Sequence, residues 1–280
     1  RFYLRNLRQD FRFKLNGWTL PAIFLGLLIC LPISEILLNL TTPAENWEHL
    51  RETVLGRYLQ GSLILVIGTA VLSILFGVSS AWLVSCCEFP GRKVFEWALI
   101  LPLAIPPFVA AYAYFDLLDN MTPLLVWVRL NVSPSAMITL SDTIVYPVTI
   151  LVLSSVLYPY VYLMTRAAFS MQGTQFIEAA RTLGHGPVYV FWRVALPMAR
   201  PAIVAGVSLV VMETLNDYGA VKHFGVPTFT TGIFRTWLSL NDMPGALRLA
   251  ACLMVLVFFF LFLEKCLRFR AKFHVNKQAG

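Results

Sequence analysis

Apolar residues fall into six long runs, approximately over residues 17–40, 60–86, 95–116, 143–166, 201–222 and 248–266. Each is close to the ~20 residues that a helix needs to cross ~30 Å of hydrocarbon, so each predicts a membrane span. The second is the plainest, with no charged residue from Tyr58 to Cys87, and Thr143 to Thr165 is equally uncharged. Glu35 stands near the end of the first run, whereas Glu213 and Asp217 lie well inside the fifth. The pattern predicts an all-α membrane protein: a six-helix domain over 17–266, an N-terminal segment 1–16 and a C-terminal tail 267–280. The stretches 41–59, 117–142 and 223–247 are polar and aromatic and predict lids or short surface helices on one side.

On the other side, residues 167–200 form a polar segment too long for a simple connection. It reads as a helix from Gln175 to Leu183, a break at Gly184-His185-Gly186-Pro187, and a second helix from Val188 to Ala195. Glycine suits the end of the first helix and proline the first turn of the second.

Composition agrees, with 58% hydrophobic and 13% charged residues and a mean hydropathy of +0.71. A soluble core of this length cannot hide so much apolar surface. The net charge of +7 does not indicate nucleic acid, because the basic residues sit at the ends of apolar runs and form no basic-aromatic patch. Of the 22 Lys and Arg, 16 fall on the side of 167–200 and the termini, which places that side in the cytoplasm. The five cysteines lie in or beside apolar runs and indicate no disulfide framework. The four histidines lack metal-ligand spacing, no G-x-x-x-x-G-K-[ST] run is present, and no nucleophile stands with a base. The chain is therefore expected to be no enzyme and to bind no cofactor of its own.

Within 167–200, Glu178-Ala179-Ala180 is followed after three residues by Gly184, after nine more by Val194, and after one more by Leu196-Pro197. This resembles the EAA loop of binding-protein-dependent ABC importer permeases, with Val in place of the usual Ile. The resemblance implies a type I ABC importer permease architecture, a bacterial plasma membrane location with both termini cytoplasmic, and a coupling helix that docks on the nucleotide-binding subunit. Glu178, Ala179, Ala180, Gly184, Leu196 and Pro197 then couple the pore to ABC-type ATP-binding subunits, which use the ATP and Mg. A solute-binding protein and a second six-span unit complete the expected partners beside membrane lipid.

Glu213 and Asp217 are four apart, on one face of a predicted helix, with Glu213 past the midplane of the membrane. A carboxylate there costs at least ~2.5 kcal/mol if it faces lipid, so the pair should face a cavity or a partner. Two acidic groups suit a cationic cargo such as a hard metal ion; a structural or gating role, with Lys222 as partner of Asp217, is the alternative. Pro102, Pro106 and Pro107 within the third run predict a kinked or broken helix, a candidate hinge. With Tyr112 and Tyr114 beyond them, and the stretch from Glu213 through Tyr218 to Trp237, the chain resembles the permeases of ferric-iron ABC importers. Thiamine and polyamine permeases share the EAA loop and are the alternative cargo classes. Ferric-iron permeases commonly carry two six-span halves, so this chain is expected to be one half of a longer protein or a subunit that pairs with itself.

Overall fold

The computed structural model describes residues 19–44, 46–120, 122–170, 180 and 182–276. All regular structure among them is helical. The helices are α1 (Thr19–Leu38), α2 (Trp47–Cys86), α3 (Arg92–Ala98), α4 (Pro107–Asp119), α5 (Thr122–Asn131), α6 (Pro134–Ala168), α7 (Pro187–Asn216), α8 (Gly219–Phe224), α9 (Phe229–Leu238) and α10 (Met243–Asn276). Five stretches are long and apolar enough to span: Thr19–Thr41, Trp47–Cys86, Ile144–Ala168, Pro187–Asn216 and Met243–Arg268. The sixth is the pair Arg92–Ala104 and Pro107–Phe115, bent by 91°.

Proline chemistry sets that bend. Ile105 precedes a proline and is pushed out of the helical region to φ −95°, ψ 117°. Its N–H closes a 3₁₀ turn on the Pro102 carbonyl at 3.1 Å. The chain restarts as α4 with Pro107 in the first position, where a missing donor costs nothing, and Val109 and Ala110 both donate to the Pro106 carbonyl.

The sequence boundaries need correction at four places. The fifth span begins at Pro187 rather than 201, because the helix expected to stop at Ala195 runs on through Leu196-Pro197. A π-helical stretch, Phe191–Ala195, ends one residue short of that proline, which falls in the first turn of the α-helical part that follows, where a missing N–H is tolerated. The same span ends at Asn216 rather than 222. Helices α2 and α6 also start ahead of their apolar runs, at Trp47 and Pro134, while 117–142 and 223–247 carry α5 and α9, short helices as expected.

Helix α6 is the centre of the bundle. Its segment Tyr158–Tyr162 lies between two glycines on neighbouring helices. A Cβ on Gly77 of α2 would stand 2.7 Å from the Val161 Cβ, and one on Gly206 of α7 2.7 Å from the Val161 Cα. Val161 and Tyr162 are fully buried as a result. In lipid, where apolar exposure gives no drive, such close backbone approach is what holds helices together.

At one end, the Arg166 end, the Glu96 carboxylate pairs with Arg166 while the Tyr162 hydroxyl donates to the Glu96 carbonyl at 3.1 Å, pinning α3 to α6. At the other, the Asp217 end, buried Asp242 accepts from the Gly245 and Asn46 amides, and Arg248 donates to the Thr42 carbonyl at 2.7 Å. These bonds tie the starts of α2 and α10 to the end of the first span. Helix α1 buries none of its residues within the chain.

Candidate coupling loop and translocation path

Glu178 and Ala179 lie outside the described residues, whereas Ala180 is buried. Gly184 has φ +83°, with open space where a Cβ would stand. The His185 N–H donates to the Ala180 carbonyl at 3.2 Å. This six-to-one bond around a left-handed residue is a Schellman end, in which glycine avoids the Cβ penalty. Pro187 then opens α7 as its first residue.

The two flanks of this turn differ. Leu183, Val188 and Trp192 are exposed, and the His185 ring stacks on Tyr189 at 4.2 Å. One turn further on, Val190, Ala195 and Ala199 are buried and Leu196 packs against the same core. Trp82 of α2 meets Phe169 at 5.8 Å and Phe191 at 5.1 Å, both edge-on. The loop thus presents apolar side chains outward from a base clamped to α2 and the end of α6. Leu196 and Pro197 belong to that base. Reading the sequence did not single out Trp82 or Glu96.

At the Asp217 end, the predicted acidic pair separates. Glu213 is in the last turn of α7, exposed, near the Tyr160 phenol on α6. Asp217 has left the helix at ψ 127°, so the two do not share one helical face. Its N–H still bonds the Glu213 carbonyl at 2.9 Å, but its Oδ2 accepts the Val221 N–H at 3.1 Å, inside α8. Lys222 is not its partner: the ammonium sits 5.1 Å over the Tyr218 ring, which packs against Phe234 at 4.1 Å. Among the described residues the ion pairs are Glu96–Arg166 and Glu264–Arg268, and no three His, Cys, Asp or Glu side chains are grouped to hold a metal.

The stretch from Phe224 to Gly232 is a built joint. Thr228 and Thr231 form a reciprocal capping box at the start of α9. The Thr230 hydroxyl donates to the Asp217 carbonyl at 2.8 Å, and the Phe229 N–H to the Ser62 hydroxyl of α2 at 3.2 Å. Helix α8 then lies along α4. The Gly219 position abuts Phe108, and the His223 ring packs at 4.3 Å from Tyr112 and 4.7 Å from Phe115. Tyr112 and Tyr114 remain exposed on their other sides. Pro102, Pro106 and Pro107 surround the 91° bend. His223 was missed because its four-residue offset from Gly219 has meaning only once α4 is known to turn across it.

Residues 73–272 match the family model described as the binding-protein-dependent transport system inner membrane component. The Fe(3+)-transport system permease protein FbpB 2 of Haemophilus influenzae is 30% identical over 249 residues, 88% of this chain and 45% of that protein. The chain thus spans about half the length of that relative. The sulfate transport system permease protein CysT of Escherichia coli K12 is 26% identical, over 74% of each chain. Among solved structures, a bacterial ABC transporter involved in the import of the acidic polysaccharide alginate superposes with a TM-score of 0.62 at 18% identity, over 95% of this chain and 99% of that one.

Proposed function

We propose that this chain, which belongs to the family of binding-protein-dependent transport system inner membrane components, is one six-span unit of an ATP-driven importer of ferric iron. As a family member it is a multi-pass inner-membrane permease of the type I ABC importer fold. The cargo reading rests on one observation, the 30% identity to a ferric-iron permease over 88% of the chain.

The geometry supports the division of labour. The apolar side chains around Gly184 suit docking on an ATP-binding subunit, which hydrolyses the ATP. That assignment puts the Arg166 end and both termini in the cytoplasm, in keeping with the excess of Lys and Arg on that side. A solute-binding protein then meets the Asp217 end, and a second six-span unit closes the path. Glu213, exposed beside Tyr160, with Tyr218, Tyr112 and Tyr114 nearer the outer end, is the part of the candidate path that retains an open carboxylate for a hard cation.

A second reading, an oxyanion cargo, is favoured by the likeness to a sulfate permease and by the engagement of Asp217 in a helix cap. Uptake of labelled ferric iron, sulfate, thiamine and spermidine by cells carrying the complete transporter, against cells lacking it, separates these cargoes. Transporter-dependent iron uptake is expected. Sulfate, thiamine or spermidine uptake without iron overturns the cargo and leaves the permease.

A further inference from the structure

We infer that Asp217 is a positioning residue that seats α8 against the bent half of the third span, and that this seam closes the outer end of the path. The inference rests on the permease reading but not on the cargo.

Several bonds meet at this residue or beside it. The Asp217 N–H completes the last turn of α7 on the Glu213 carbonyl, and its carbonyl accepts the Thr230 hydroxyl from α9. The Asp217 carboxylate accepts the Val221 N–H, one of the otherwise unpaired donors in the first turn of α8. Thr228 locks α9 through its capping box, and Phe229 ties α9 to Ser62 of α2. The direction of α8 is thereby fixed relative to α7, α9 and α2 at once.

That direction has a consequence at α4. Phe108, Tyr112 and Phe115 recur at helical spacing on one face of α4. They meet Gly219 and His223, four apart on α8. No hydrogen bond crosses this seam among the described residues, and the His223 Nε2 is buried without a partner. Fit alone holds the two helices, so a small change in the direction of α8 opens it. Ala220, Val221 and Phe224, buried on the remaining face, keep α8 attached to the core meanwhile.

The test uses the complete transporter in proteoliposomes, with Asp217→Asn and Asp217→Ala. Asparagine keeps an oxygen acceptor for the Val221 N–H and loses the charge; alanine loses both. Asp217→Asn is expected to keep uptake within about twofold of the parent, and Asp217→Ala to lower the maximal rate about tenfold at unchanged KM, the scale of a lost cap. A second readout is independent of cargo. In a background with the five cysteines replaced, Phe108→Cys and Gly219→Cys are brought together. A Cβ at 219 lies 2.7 Å from that of Phe108, so a small shift reaches the ~3.5–4.5 Å of a disulfide. The cross-link should form readily with Asp217 in place or with Asp217→Asn, several-fold more slowly with Asp217→Ala, and should stop uptake when formed. Thr230→Val, nearly isosteric, repeats the test should Asp217→Ala fail to assemble, and should slow both readouts in the same direction. Loss of uptake in Asp217→Asn with the cross-link unchanged would show that the charge itself is needed and overturn the proposal. Parental uptake and cross-linking in Asp217→Ala, or in Thr230→Val, would overturn it as well.

Discussion

At the Arg166 end the chain reverses around Gly184 on one backbone hydrogen bond and leaves Leu183, Val188 and Trp192 exposed. At the Asp217 end the α7–α8–α9 joint buries Ala220, Val221, Val226 and Phe229, and its polar groups bond one another. The first arrangement is incomplete within this chain: a rigid turn offers apolar side chains from a base clamped by Trp82. The second is complete: its polar groups bond one another across α7, α8 and α9, and its seam with α4 is made by packing. Between the two ends the bundle is packed closely through Gly77 and Gly206 onto α6, and on the proposed function a partner docked at the first end would act through that packing.

The comparison breaks most readily at Gly184. No atom lies within 4 Å of a Cβ there, so Gly184→Trp meets no clash and should leave assembly intact. It places an L side chain at φ +83°, which costs about 1–2 kcal/mol in an exposed turn, and sets an indole on the docking face. Uptake should fall to background while the ATP-binding subunits still hydrolyse ATP. Gly184→Ala separates strain from bulk and should retain part of the uptake. Normal uptake by the tryptophan variant would remove the loop from coupling. The corresponding change at the other end, Gly219→Leu, drives a side chain into Phe108 and should destabilise by about 1–3 kcal/mol. Both variants should lower the thermal unfolding temperature in detergent by a few degrees, so the contrast lies in uptake per ATP hydrolysed, which Gly184→Trp should lose.

The two ends were also unequally legible in the sequence. The turn at Gly184 and the first-turn Pro187 could be read directly, because glycine and proline act through local backbone geometry. So could the break in the third span, with prolines at 102, 106 and 107. The fate of Asp217 could not. A count of four from Glu213 puts both carboxylates on one face only if the helix continues, and it stops at Asn216 because Asp217 bonds forward into α8. Thr230, bonded into a cluster with Thr228 and Thr231, adds a bond to the Asp217 carbonyl, but the three read as a polar loop until Asp217 is seen opposite. The fifth span's early start was hidden by Pro197, which looks like a boundary although the helix runs through it. Glu96 was passed over because its partner, Arg166, is 70 residues away.

Thr228 sharpens the contrast by a smaller amount. Thr228→Ala removes the half of the capping box in which the Thr228 hydroxyl accepts the Thr231 N–H and should destabilise by about 1 kcal/mol, lowering the unfolding temperature and weakening the hold of Thr230 on Asp217. Because Thr230 and Thr228 lie in one bonded cluster, the double variant Thr228→Ala, Thr230→Val should lose less than the sum of the singles. Additive losses would mean that the joint is two independent contacts rather than one body.

The smallest expected effect belongs to the Glu96–Arg166 pair, whose side chains are about a third exposed, at 31% and 28%. Solvent screening at that exposure limits the pair to about 1 kcal/mol or less. Glu96→Gln should therefore cost little stability, especially since the Tyr162 bond goes to the Glu96 carbonyl and survives the substitution. Its effect on coupling should be larger than on stability, because the pair fixes α3 at the clamped base from which the Gly184 turn projects. A cycle of Glu96→Gln, Arg166→Gln and the double variant, read both as unfolding temperature and as uptake per ATP hydrolysed, measures the two separately. A coupling energy confined to the unfolding temperature would make the pair a passive brace and leave the clamping of that base to Trp82.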